Sequence, residues 1–279
     1  MPKVIVTHFH PDLDALTSVW LIKRFQSGWE EAEVKFVPAG RALEDKPPDE
    51  NPQVIHVDTG LGKFDHHQDR SRLPACARVL EALKEKEEKF LAGEVLERLV
   101  KVVVEVDLGN QIHWPESRTD RYEFSLDGAI GGLKKHGLPD SKLVEIGLVL
   151  LDGVYMALRC KIKAEKILKD GLVFETKWGK GLAFETENDM VLELGEKKGY
   201  SVVVRKDPQR GSVRIYARND RGVDLTSVFE VLKEKDQEAT WFLHQSKCLL
   251  LNGSSKNPAM RPTKLSLGKV VEILKEVKD

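Results

Sequence analysis

Hydrophobic and polar positions alternate between two periods over the first half of the chain. KVIVTH (3–8) is a short β-branched apolar run and predicts a strand. After Pro11, Ala15, Val19, Ile22 and Phe25 recur at near-3.6 spacing with Lys23 and Arg24 toward solvent, which predicts a helix. AEVKFVPAG (32–40) predicts a second strand, and 41–52, rich in Pro and charge, a loop. QVIHVDTG (53–60) predicts a third strand that ends in Asp58, with Thr59 and Gly60 turning the chain. RVLEALKEKEEKFLAGEVLERLVKVVVEVD (78–107) predicts one or two helices with KEKEEK as a solvated face, and a longer helix is expected from about Lys142 to Lys169. Strands and helices in that order predict an α/β fold with a mostly parallel sheet.

The texture changes near residue 170. LVFETKW, LAFETE, YSVVVRKD and SVRIYARND predict short strands punctuated by Gly and charge. VDLTSVFEVLKEK (223–235) predicts a helix, WFLH and CLLLNG two more strands, and LSLGKVVEILKEVK (265–278) a closing amphipathic helix. The pattern places a boundary at 165–190, between a domain over 1–170 and a smaller α+β domain over 185–279. No repeat or low-complexity tract interrupts either.

The 279 residues are 41% hydrophobic, enough for two ordinary cores. Charge changes the picture more: 44 basic residues against 45 acidic leave a net −1, so no global pull toward a polyanion or an acidic membrane exists and any anion site must be local. Cys76, Cys160 and Cys248 are isolated and odd in number, which suits reduced thiols in the cytoplasm. MPKVIVTHF runs straight into a strand without a signal-peptide layout, and no run approaches 18 apolar residues. A soluble cytoplasmic protein without a membrane partner is expected.

The candidate chemistry lies at predicted strand ends. THFHPDLDALTS (7–18) packs His8, His10, Asp12 and Asp14 into the first strand-to-helix turn; Asp58 closes another strand; FDHHQ (64–68) adds Asp65, His66 and His67. Singly, each has a bland role, Asp12 or Asp14 as a helix N-cap and His67 as an exposed loop residue. Together they would converge in the crevice at the carboxyl ends of an open sheet, where ligands bind. Crowded carboxylates call for cations. A mixed Asp/His donor set suits Mn²⁺, and also Mg²⁺, Co²⁺ or Zn²⁺, better than Ca²⁺.

His8-x-x-Pro11-Asp12-x-Asp14-Ala15-x-x-Ser18 resembles the first motif of the DHH phosphoesterase superfamily, Asp58 in HVDTG its second, and Asp65-His66-His67 its third. Asp107 in VEVDLGN is the candidate for the fourth, with Asp127 and Asp152 as competitors. The short interval between the second and third motifs is similar to the MYG1-type branch, whereas the PDxDA core looks like the main group of single-strand exonucleases and oligoribonucleases. The resemblance implies two divalent ions, Mn²⁺ foremost. His8, Asp12 and Asp58 would hold one; Asp14, Asp58, His66 and Asp107 the other, with Asp58 bridging. It gives the catalytic roles to Asp65, which would orient the neighbouring histidines, and His67, which would meet the scissile phosphate or move a proton. His10 falls at a variable position, and His56 is unassigned. His8-x-His10-x-Asp12 also fits the opening of the metallo-β-lactamase metal motif, but position 13 is Leu where that motif needs His.

Many superfamily members carry a C-terminal substrate-binding domain, and SVRIYARNDRGVDLTSVFEVL (212–232) looks like its strand-turn-helix part with Arg218 in the arginine's place. The usual GGGH loop is absent; His244 in WFLHQSK stands nearby. Basic and hydroxyl groups concentrate there, and Arg218, His244, Lys256 and Arg261 are the candidate substrate-binding residues, while Trp241 and Phe242 fit core packing better than base stacking. The expectation is a two-metal phosphoesterase acting on short single-stranded RNA or DNA, or on a small nucleotide, in a cleft between the domains; a homodimer is allowed. An inorganic pyrophosphatase and a non-catalytic nucleotide sensor or scaffold are the alternatives.

Overall fold

The computed structural model describes residues 2–68, 71–86, 93–254 and 256–277, and it is a mixed α/β protein. Val4–His8 forms β1, whose Ile5 and Val6 have no exposed surface. β1 is the centre of a three-stranded parallel sheet of order β2-β1-β3, with β2 at Glu33–Val37 and β3 at Val54–His56. A parallel sheet of this kind is covered on both faces, which is why β1 reads as a continuous apolar run. Parallel pairing also gathers the carboxyl ends of all three strands on one edge. The order places the turn after β1 beside the turn after β3.

Helix α1 (Leu13–Phe25) follows β1 directly. Asp12 caps it, its Oδ1 accepting the Ala15 N–H at 3.1 Å. The 3.6-residue spacing predicts a one-sided helix, but every residue from Leu13 to Ile22 is buried. The reason is tertiary: α2 (Ala75–Lys86) and α3 (Gly93–Asp107) both pack on it, in addition to the sheet. Helix α5 (Asp140–Ile167) approaches closely enough that a Cβ on Gly147 would lie 3.0 Å from Leu16 Cδ1. Leu16, Trp20, Leu96, Leu143 and Leu151 fill the core thus formed; each contributes about 1.5–3 kcal/mol over an exposed position. Between α3 and α5 lie two 3₁₀ turns and α4 (Leu126–Lys135), capped by Ser125. Gly128, Gly131 and Gly132 dilute the helical pattern of α4 in the sequence. The part of the KEKEEK face from position 87 lies outside the described residues.

The chain divides into two compact units within α5, one ending at Leu158 and the other beginning at Arg159. The second unit holds a six-stranded mixed sheet of order β4-β5-β6-β7-β9-β8. Its strands are β4 Leu172–Thr176, β5 Gly179–Glu185, β6 Val202–Lys206, β7 Val213–Ala217, β8 Trp241–Leu243 and β9 Leu249–Asn252. One face packs Val202, Val204 and Ile215 against α7 (Thr226–Lys235) and α8 (Leu267–Glu276). The other packs Phe184 and Val203 against α6 (Met190–Lys197) and the last turns of α5. Trp241 is buried in the first of these cores. Among the described residues no helix is long and apolar enough to cross a membrane.

Candidate metal centre

Two sharp turns build the site. After β1 the chain reverses through Phe9 and His10, and Pro11 delivers Asp12 to the start of α1. After β3 the Val57 N–H still bonds to Val6 O at 2.9 Å, and Asp58 then adopts φ +52°. A left-handed conformation at a non-glycine residue costs about 1–2 kcal/mol, and at Asp58 the surroundings enforce it. Its N–H is held by Phe64 O at 2.9 Å, and two residues on Gly60 takes φ +83° over the His56 ring, where a Cβ would come within 3.2 Å. His56 is buried and fixed, accepting the Leu43 N–H on Nε2 and bonding Pro48 O through Nδ1. It anchors the 41–52 loop and plays no part in the cluster.

Asp58 is 2% exposed and lies at the middle. His8 Nε2 is 3.1 Å from its Oδ2, while His66 Nε2 and His67 Nδ1 lie 3.3 and 3.9 Å from its Oδ1. Oδ1 is nonetheless enclosed without a hydrogen bond. Among the described residues, three overlapping sets of donor atoms occur, the atoms of each set lying within 4.8 Å of one another: His8, Asp12 and Asp58; Asp58, His66 and His67; Asp14, His66 and Asp107. Asp107 ends α3, so the helix that packs on α1 brings it there. Asp152 is elsewhere engaged, taking the Trp20 indole N–H at 2.8 Å and the Arg24 guanidinium. Asp127 belongs to none of the three sets, although burial, and then the charge of Asp12, raise its carboxyl. His10 is an exposed loop residue 3.4 Å from Asp140.

The carboxylates are oriented by backbone amides. Asp14 is buried, and its two oxygens accept the N–H groups of Ala75 at 2.8 Å and Cys76 at 2.9 Å, at the start of α2. The sequence carries a signal for this partner, the Pro74 that opens a helix, but not for its distance from Asp14. Asp65, fully buried, accepts the Leu61 N–H and the backbone N–H of His67, and its Oδ1 is 2.7 Å from His67 Nδ1. It therefore orients His67 directly, and its carboxylate makes no hydrogen bond or ion pair with the His66 ring.

Negative charge is in excess here. Burial, then the charges of Asp58 and Asp107, push the Asp14 carboxyl up to about 7. Burial raises Asp107 as well. Burial alone would lower His8, but its contacts with Asp58 outweigh that and bring it up to about 9; His66 rises to about 9 chiefly through Asp58. Burial likewise works against ionised Asp58, and the flanking His66 and His8 still hold it below the usual carboxylate range. Protons or cations must offset this cluster. An enclosed carboxylate oxygen without a hydrogen bond, in reach of imidazole nitrogens and further carboxylates, fits a divalent ion with oxygen and nitrogen ligands.

In the second unit, Arg218 is bound by Asp220 and lines a cavity of about 540 Å³. Arg261 lines a different one of about 600 Å³. His244 is exposed and paired with Ser246, and Lys256 is exposed beside Ser254.

Residues 5–158 match the family model described as ChrB, C-terminal domain. No curated protein matches the chain. Among solved structures, the chain is similar to an exopolyphosphatase-related protein from Bacteroides fragilis at 11% identity and a TM-score of 0.24, over 98% of this chain and 90% of that one.

Proposed function

The chain belongs to the family described as ChrB, C-terminal domain, whose matched span contains the whole Asp/His cluster, and from the geometry of that cluster we propose that it is a metal-dependent phosphoesterase of the DHH type. One observation carries the reading: three donor sets overlap on Asp58 and His66, so a pair of neighbouring ions with shared ligands is the arrangement they fit. His8, Asp12 and Asp58 would hold one ion, and Asp14, Asp58, His66 and Asp107 the other. When bound, divalent cations, Mn²⁺ foremost, would neutralise charge on a phosphoryl group and make a water nucleophilic at neutral pH.

The protein's own groups do the positioning. The amides of Ala75 and Cys76 and of Ala15 fix the Asp14 and Asp12 carboxylates before any ligand arrives. Asp65 ties down His67 at Nδ1, which leaves Nε2 of a half-exposed ring available to a phosphate oxygen or a leaving-group proton. His67 is the catalytic residue in this reading and Asp65 its positioning residue. The substrate would be a phosphodiester in short RNA or DNA, or a small nucleotide, and three free cysteines suit a cytoplasmic setting.

Hydrolysis of a panel tests it: labelled RNA and DNA of graded length, linear and cyclic dinucleotides, and pyrophosphate, each with Mn²⁺. Turnover of a phosphodiester is expected to fall by at least about a thousandfold in Asp58→Ala and to vanish in EDTA. Turnover of pyrophosphate alone would replace the phosphodiesterase reading. Metal binding without any turnover would favour a sensor.

A further inference from the structure

The sheet of the second unit sets two arginines directly opposite each other. Arg205 on β6 faces Arg214 on β7 in the antiparallel register. Like charges so placed repel and weaken the ladder. Arg205 is 3% exposed, and a guanidinium cannot shed its charge, so the pair must be compensated locally. A single half-exposed carboxylate does most of this. Asp189 Oδ1 accepts from Arg205 Nε at 2.8 Å and Nη2 at 2.5 Å, and its Oδ2 accepts from Arg214 Nη1 at 2.5 Å. Asp207 adds an ion-pair contact 3.3 Å from Arg205 Nη1, yet that enclosed nitrogen makes no hydrogen bond.

Donors therefore outnumber acceptors. Arg214 gives one N–H to Asp189, and the rest of its planar fork has no acceptor among the described residues. The exposed Arg210 stands on the turn between the two strands, its backbone N–H held by Asp207. Arg205, Arg210 and Arg214 line one cavity of about 530 Å³ with the hydroxyl residues Ser212 and Ser254. That volume lies within the range of small-molecule sites and exceeds the need of a bare phosphate. Glu187, Asp189 and Asp207 also line it, so formal charge balances. The cavity is thus no general sink for anions; it offers unspent, directed guanidinium donors, which match phosphate oxygens.

We propose that this cavity binds a phosphate-bearing small molecule of nucleotide size, its phosphate gripped by Arg214 and Arg210 while Asp189, itself fixed by Arg205, holds Arg214 in place. None of these residues belongs to the metal centre, and the inference does not depend on the hydrolase reading.

Isothermal titration of the full chain in EDTA with adenosine 5′-monophosphate, inorganic phosphate and adenosine tests it. The monophosphate is expected to bind more tightly than phosphate, and adenosine not at all. Arg214→Gln and Arg210→Gln should each weaken the monophosphate by about tenfold, the worth of a charge-assisted hydrogen bond. Arg210 is exposed, so its variant keeps the fold even if Arg214→Gln does not. No binding of the monophosphate, equal binding by wild type and both variants, or adenosine binding as tightly would overturn the proposal. Phosphate binding as tightly as the monophosphate would overturn the nucleotide-sized ligand. Asp58→Ala is expected to give the wild-type isotherm, so a failure at the metal centre and a failure here remain distinguishable.

Discussion

In the first unit the ionisable residues gather at the ends of strands; in the second they stand opposite each other on the face of a sheet. The difference follows from how each sheet is covered. The parallel sheet is packed on both faces, so the ionisable groups that follow its strands collect at the carboxyl edge, where His8 and Asp58 emerge. The mixed sheet lets Arg205 and Arg214 lie at the margin of one face, beyond the apolar patch under α6. The two clusters also differ in balance. Asp189 bridges both arginines, whereas the carboxylates around Asp58 outnumber what three histidines offset. One cluster is largely compensated by its own neighbours, and the other waits for something cationic.

The largest effect that would break this contrast is the response to pH. Asp14, raised from 3.8 to about 7, favours the fold while protonated and weakens it as pH climbs through about 7. His8 and His66, raised from 6.5 to about 9, stabilise fully below 6.5 and lose that contribution as pH rises through about 9. Both act in one direction, so the Tm of metal-free protein should fall between about pH 4 and pH 9, and saturating Mn²⁺ should flatten the fall. Mn²⁺ affinity should rise over the upper half of that window by about tenfold per pH unit for each proton displaced. A pH-independent Tm and affinity would mean that the cluster carries no unmet charge.

Next in size is Asp65→Asn. It loosens His67 without removing a proposed ligand, so activity should drop by about ten- to a hundredfold while the metal content stays at the wild-type value. Loss of metal together with activity would give Asp65 a structural role instead. On the second cluster, Asp189→Asn should lower unfolding free energy by about 1–2 kcal/mol, because Arg205 keeps its charge without its main partner. Added phosphate should restore part of that loss, and denaturant titration reads both. The smallest effect is expected at His10, 77% exposed and two residues from His8. His10→Ala should leave metal content unchanged and activity within about twofold, since exposed positions away from a site rarely matter more.

Much of the centre is legible in the sequence. THFHPDLD and FDHHQ place His8, Asp12, Asp14, Asp65, His66 and His67 in two short segments, and VDTG marks Asp58 as the end of a strand. The choice among Asp107, Asp127 and Asp152 is not legible. All three are carboxylates in or beside helices, and only the packing of α3 on α1, with Arg24 and Trp20 engaging Asp152, separates them. The amides that orient Asp14 lie more than sixty residues away, with nothing in the pattern to connect them.

Local chemistry determines what is short-ranged. The β-branched runs set the strands, the Asp12 cap starts α1, and Gly60 lets the chain turn behind Asp58. Tertiary structure decides what depends on register and on crossing helices. It turns α1 from a one-sided helix into one buried all round from Leu13 to Ile22, divides the chain within α5, and puts Arg205 opposite Arg214 across a hairpin. The physical reason is the same in each case. Backbone propensity and capping act over a few residues, while burial and charge compensation depend on which distant segments the packed core brings together.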